Sequence, residues 1–233
     1  SAPVCCAVTI PEAGEYVLRL EAADESGNSI RTDYETWAAG AGAASWYRSD
    51  DNRMELVADK EQYRPGDTAK ILVQSPFPES EALLTVEREG LLVRKSFHVT
   101  SNAPVIEVPI LDTYRPNVFV SVLLVRGRVR DTTDERGDDP GKPAYAMGMV
   151  ELDVETASKR LTVDVRPDRE EHGPGEEIRV DLVVRGADGS GVPAEVTLFA
   201  VDEAVLQLTG YEPPDLMAAF WGPRGVSVRT AEI

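Results

Sequence analysis

At 233 residues the chain has room for one large domain or two to three small ones. Its formal charge of −17, from 41 acidic and 24 basic residues, excludes a nucleic-acid surface, which needs clustered Lys and Arg to displace counterions. Hydrophobic residues make up 42%, enough for ordinary cores, and no apolar run is long enough to cross a bilayer as a helix.

Ser1-Ala2-Pro3 does not resemble a secretory leader, and residues 227–233 carry no closing strand or helix signal. The expectation is a piece cut from a longer protein. The two cysteines, Cys5 and Cys6, are neighbours and too close to bridge each other. They fall in an alternating stretch, residues 4–10, and read as core or edge-strand residues, not as a metal or redox pair. Residues 15–22 alternate polar and apolar, Asp24-Glu25-Ser26-Gly27-Asn28 turns the chain, and residues 29–37 return it as a hairpin. Two or three strands do not make a sandwich, so residues 1–40 read as the C-terminal part of a domain. Residues 41–53 form a connector whose Trp46 and Tyr47 are expected to dock on the next domain.

Residues 54–156 carry seven strand signals: 54–58, 69–74, 81–87, 91–99, 105–110, 118–126 and 144–154. Residues 118–125 are apolar nearly throughout and predict a central strand covered on both faces. Turns fall at Ser75-Pro76-Phe77-Pro78, Arg88-Glu89-Gly90 and Tyr114-Arg115-Pro116-Asn117. Seven short strands at this spacing are the pattern of a β-sandwich. The acidic loop at 131–141 lacks the ligand spacing and terminal Glu of an EF-hand loop and reads as a solvated hairpin.

A third unit, 157–233, opens with a strand at 161–165. A turn, residues 168–176 with Pro174-Gly175, then repeats the one at 59–67 with Pro65-Gly66. The two copies are separated by about a small domain's length, which predicts β-domains in series. Strands are predicted at 178–185 and 194–201, with short helical turns at 202–206 and 216–221. Only part of a sandwich is present in this unit.

No catalytic constellation emerges. His98 lies in a strand and His172 in a turn, where it takes the position of Tyr63 in the first copy; neither has a partner at metal-ligand spacing. Asp202 and Glu203 are adjacent and point apart, which suits a helix start better than an acid/base pair. No phosphate loop, dinucleotide fingerprint or nucleophile elbow is present, so no catalytic, metal or cofactor-binding residues and no cofactor are expected.

Several stretches resemble bacterial alpha-2-macroglobulins: residues 56–69 with Ser75-Pro76-Phe77, Pro116-Asn117-Val118-Phe119-Val120-Ser121-Val122, and residues 200–211 with Ala200-Val201-Asp202-Glu203-Ala204-Val205-Leu206. Pro11-Glu12-Ala13-Gly14-Glu15-Tyr16 fits the preceding domain of that family. The resemblance implies an all-β fold of tandem antiparallel sandwiches, fibronectin type III-like macroglobulin domains. It implies a non-enzymatic, broad-spectrum protease trap in which cleavage of an exposed bait segment triggers collapse around the protease. Its partners would be target endopeptidases and the remaining domains of a parent in the periplasm or cell envelope, with a membrane anchor compatible. The bait would begin in the tail from Gly222 to Ile233, where Arg224 and Arg229 suit trypsin-like proteases. The family's Cys-x-Glu-Gln thioester motif is absent from this sequence. A tandem immunoglobulin-like adhesion or ligand-binding module would share the strand pattern without the Ala200–Leu206 run, and an accessory domain of a secreted hydrolase would want an aromatic platform that Trp37, Trp46 and Trp221 do not form.

Overall fold

The computed structural model describes residues 6–11, 14–24, 26–38, 52–129, 139, 141–173 and 175–228. Trp46, Tyr47 and most of the 131–141 loop lie outside them. The described chain is almost all β, as its alternation requires. It opens with a long antiparallel hairpin, β1 (Gly14–Ala23) and β2 (Ser29–Ala38). The carboxylate of Asp24 makes the turn by accepting the amides of Ser26 and Asn28 at 2.9 and 2.8 Å. Gly27 supplies the positive φ of 81° there. Arg19 pairs with the facing Asp33 through two guanidinium nitrogens, at 2.8 and 3.1 Å. Trp37, near the end of β2, packs with Val57 against Leu72 and Ala103, which joins the hairpin to the next unit.

That unit is a two-layer sandwich. One layer holds β3 (Leu56–Ala58), β5 (Thr68–Val73) and β8 (Val105–Pro109) in the order β3-β5-β8. The other holds β4 (Gln62–Tyr63), β6 (Ser80–Glu87), β7 (Leu91–Val99), β9 (Asn117–Arg126) and β10 (Ala144–Val154), ordered β4-β10-β9-β6-β7. Every strand pair is antiparallel except β4 with β10. The inward residues of both layers form one core, including Ile71, Val73, Leu84, Val86, Val108, Val118, Val120, Val122, Leu124 and Leu152. Burying each such side chain is worth about 1.5–3 kcal/mol. Among the described residues, every buried hydrophobic lies between Leu56 and Val154.

β9 is the middle strand of its layer, but its two faces differ. Val118, Val120, Val122 and Leu124 are fully buried in the core. On the outer face Asn117 and Ser121 are buried, at 1% and 5% exposed, Phe119 and Leu123 are half-buried, and only Val125 is exposed, at 48%. The apolar run therefore has one fully buried core face and one outer face covered in part as far as Leu123.

Beyond a 3-10 turn, Ala157–Lys159, a second hairpin pairs β11 (Thr162–Pro167) with β12 (Val180–Arg185). The repeated turn folds alike in both units. Asp59 N–H donates to the Lys70 carbonyl at 3.0 Å, while its carboxylate accepts the Lys70 amide at 2.8 Å and the Tyr63 hydroxyl at 2.7 Å. In the second copy Asp168 N–H donates to Arg179 O at 2.9 Å, its carboxylate accepts the Arg179 amide at 3.3 Å, and His172 Nε2 lies 3.3 Å away. Gly66 and Gly175 take positive φ, 94° and 81°. Residues 194–201, expected as a strand, form no ladder among the described residues, and Val196, Leu198, Phe199 and Val201 are exposed. Alternation is necessary for a half-buried strand but needs a neighbour to pair with.

Two short helices follow. α1 (Glu203–Thr209) is capped by Asp202, whose carboxylate accepts the Ala204 amide, and ends at Gly210 in the left-handed region. α2 (Leu216–Trp221) is capped by Asp215, which accepts the amides of Met217 and Ala218.

Candidate functional site

The chain leaves α2 through Gly222 and Pro223 as extended backbone, and residues 224–227 return to the sandwich. Three sandwich residues receive them: Arg88 and Glu89 at the tip of the β6–β7 hairpin, and Asn117 at the start of β9.

Arg88 fixes this corner. Its guanidinium donates to the carbonyls of Arg115 at 2.7 Å and of Tyr114 and Asn117 at 3.3 Å, tying the hairpin tip to the loop that precedes β9. The same loop is held from below by Arg115, which donates to the Glu155 carbonyl and Ser158 hydroxyl and pairs with Asp112. Asn117 is 1% exposed. Its Nδ2 donates to Glu151 Oε1 at 2.6 Å, which sets the plane of the amide.

Onto this corner the tail makes five hydrogen bonds, one of them from the Ser227 hydroxyl to the Arg88 carbonyl at 3.4 Å. Arg224 N–H donates to Asn117 Oδ1 at 2.9 Å, and Asn117 Nδ2 donates to the Arg224 carbonyl at 2.8 Å. Arg224 Nη1 pairs with Glu89 Oε1 at 2.9 Å. Ser227 N–H donates to the Arg88 carbonyl at 2.9 Å. Val226 and Val228 are half-buried, while Gly225 and Ser227 are exposed. The Arg88 guanidinium, and after it Arg224, holds the Glu89 carboxyl down to about 2. Upstream, the ammonium of Lys159 lies 5.8 Å from the centre of the Trp221 ring and 3.1 Å from Asp112, a second attachment of the α2 end.

Of the two tail arginines read from sequence, Arg224 is thus held by its backbone and by Glu89, with its side chain about half exposed at 46%. Arg229 lies outside the described residues. Sequence reading placed Arg88, Glu89 and Asn117 in turns and missed that they meet the tail. Asn117 and Arg224 are 107 positions apart, and no periodic pattern links such residues.

The histidines sit apart from this corner. His98 bridges two carboxylates, Nδ1 at 2.9 Å from Glu81 and Nε2 at 3.1 Å from Glu79. These hydrogen bonds, that of Glu81 foremost, raise its pKa above 6.5. His172 packs in the second repeated turn. Cys6 is free and exposed, and Cys5 lies outside the described residues. Among the described residues no group of three or more His, Cys, Asp or Glu is arranged to hold a metal ion.

A profile of the alpha-2-macroglobulin bait region domain matches residues 54–208. An alpha-2-macroglobulin homolog of Nostoc is 30% identical over 98% of this chain, which spans 12% of that protein's length. A homolog of Deinococcus radiodurans is 31% identical over 92% of the chain and 19% of its own length. The Escherichia coli protein named alpha-2-macroglobulin is 27% identical over 91% of the chain. Among solved structures, a crystal structure of a Salmonella alpha-2-macroglobulin mutant aligns over 92% of this chain and 13% of its own, with 25% identity and a TM-score of 0.41.

Proposed function

The chain belongs to the alpha-2-macroglobulin bait region domain family, and from that premise we propose that it is the part of a broad-spectrum protease trap in which a cleavable tether is fixed to a rigid sandwich. The parent acts on target endopeptidases without being an enzyme. A protease cuts the bait, the domains held apart by it collapse, and the protease is enclosed. The driving force is conformational energy retained by an intact connection and released when that connection is severed. We place the sandwich at 54–156, the bait-bearing unit at 157–233, and the start of the bait in residues 222–233, with Arg229, and Arg224 once its contacts to the sandwich are released, as points of protease attack. The periplasm or cell envelope is the compartment this role implies.

The observation that carries the reading is the tail itself. After α2 it runs on as neither strand nor helix among the described residues, yet at Arg224 it is anchored to a well-cored sandwich. Proteases require extended, accessible backbone, and a tether must have a firm end.

Limited digestion with trypsin, chymotrypsin and elastase, mapped by intact mass, tests it. All three should nick the tail at 224–233 before any other place. First cuts confined to residues 40–50 or 155–160, with the tail intact, would favour a tandem immunoglobulin-like adhesion module instead.

A further inference from the structure

We propose that Asn117, Glu89 and the Arg88 carbonyl form an intramolecular peptide-binding site whose ligand is the chain's own segment 224–227, and that its occupancy shields the Arg224–Gly225 bond from trypsin-like proteases. This rests on reading the tail as the protease tether.

The site is built before its ligand arrives. Asn117 begins the middle strand of the five-stranded layer, is buried, and has its amide plane set by Glu151. The hairpin tip that carries Glu89 and the Arg88 carbonyl is locked by the Arg88 guanidinium on the neighbouring loop. A side-chain amide that accepts from the N–H and donates to the C=O of one residue reads backbone, as an added strand would. Glu89 supplies the side-chain preference, pairing with a cation at the same residue. The segment therefore docks with its arginine in one register.

A protease needs the same groups. Trypsin-like enzymes pair with the backbone of the residue they cut behind, bind its cationic side chain, and polarise its carbonyl in an oxyanion hole. Hydrolysis breaks the C–N bond between Arg224 and Gly225, with water giving hydroxyl to the Arg224 carbonyl carbon and a proton to the Gly225 amine. While the clasp is closed, Asn117 holds that carbonyl and that N–H, and Glu89 holds the guanidinium. Attack is directed past Ser227, and the stump left by such a cut stays fastened to the sandwich.

Trypsin digestion of the whole chain, followed by mass spectrometry, is paired with amide hydrogen exchange. In the unaltered protein, cleavage after Arg229 should precede cleavage after Arg224, and the Arg224 and Ser227 amides should exchange at least tenfold more slowly than in a free peptide. Asn117→Ala should raise the rate of cleavage after Arg224 at least tenfold and abolish that protection. Because Asn117 is buried, Glu89→Ala and Ser227→Pro, which change exposed positions, should each raise cleavage after Arg224 and speed exchange of the Arg224 amide while the strand amides keep their protection. Equal cleavage after Arg224 in all variants, or fast exchange at Arg224 in the unaltered protein, overturns the clasp and leaves the tether reading intact. First cuts outside the tail with slow exchange at Arg224 remove the tether reading and the shielding role, and leave only the docked segment.

Discussion

Asp59 anchors the first Pro-Gly turn by serving the backbone of Lys70 and the hydroxyl of Tyr63 at once. Tyr63 is fully buried, so its hydroxyl has no water to fall back on. Tyr63→Phe should destabilise the sandwich by about 1–2 kcal/mol, seen as a lower urea midpoint with an unchanged slope. Burial, and then the bond to Asp59, raise the Tyr63 pKa from 10 to about 12. The stability linked to this proton is complete below pH 10 and fades as pH rises through about 12. His98 follows the same sign at lower pH. Its pKa is raised by Glu81 first and Glu79 after it, so the linked stability is full below 6.5 and declines as pH rises through the folded value. An NMR titration should find the His98 midpoint above 6.5, and Glu81→Gln should bring it down; no movement in that variant would remove Glu81 as the cause.

At the scale of elements, close packing is most exacting where β10 passes the segment leading into β3. A Cβ on Gly148 would lie 2.6 Å from the Met54 carbonyl oxygen and 2.9 Å from Leu56 Cγ. Gly148→Ala should therefore cost about 1–3 kcal/mol and lower the thermal midpoint, whereas Gly90→Ala, with open space around it, should not clash. Much of this architecture was legible in the sequence, because strands of five residues or more show their alternation. β4 was not legible: its two residues, Gln62 and Tyr63, are too few to show a period and join β10 through a parallel ladder. Residues 194–201 show the converse. Their alternation reads as a strand, but without a neighbour among the described residues it forms no ladder. Helix caps are local, so Asp202 and Asp215 could be expected from spacing; the meeting of Asn117 with Arg224 could not.

For the whole molecule, buried surface is unevenly distributed among the described residues. The core is concentrated between Leu56 and Val154, while the flanking hairpins and helices leave Ile30, Tyr34, Leu208 and Phe220 largely exposed among the described residues. A rigid middle joined to sparsely packed neighbours suits a device that rearranges when a connection is cut. No Cys-x-Glu-Gln motif occurs in the sequence, so methylamine, which attacks thioesters of that kind, should leave the mass of this chain unchanged; a single adduct would contradict that. The claim on which the account turns is that cutting this tether releases stored conformational energy. Small-angle scattering of a full-length alpha-2-macroglobulin carrying this sequence, before and after complete cleavage at a specific protease site inserted after Ser227, tests it most directly. The account predicts a clear fall in the radius of gyration on cleavage; complete cleavage with an unchanged radius would contradict it.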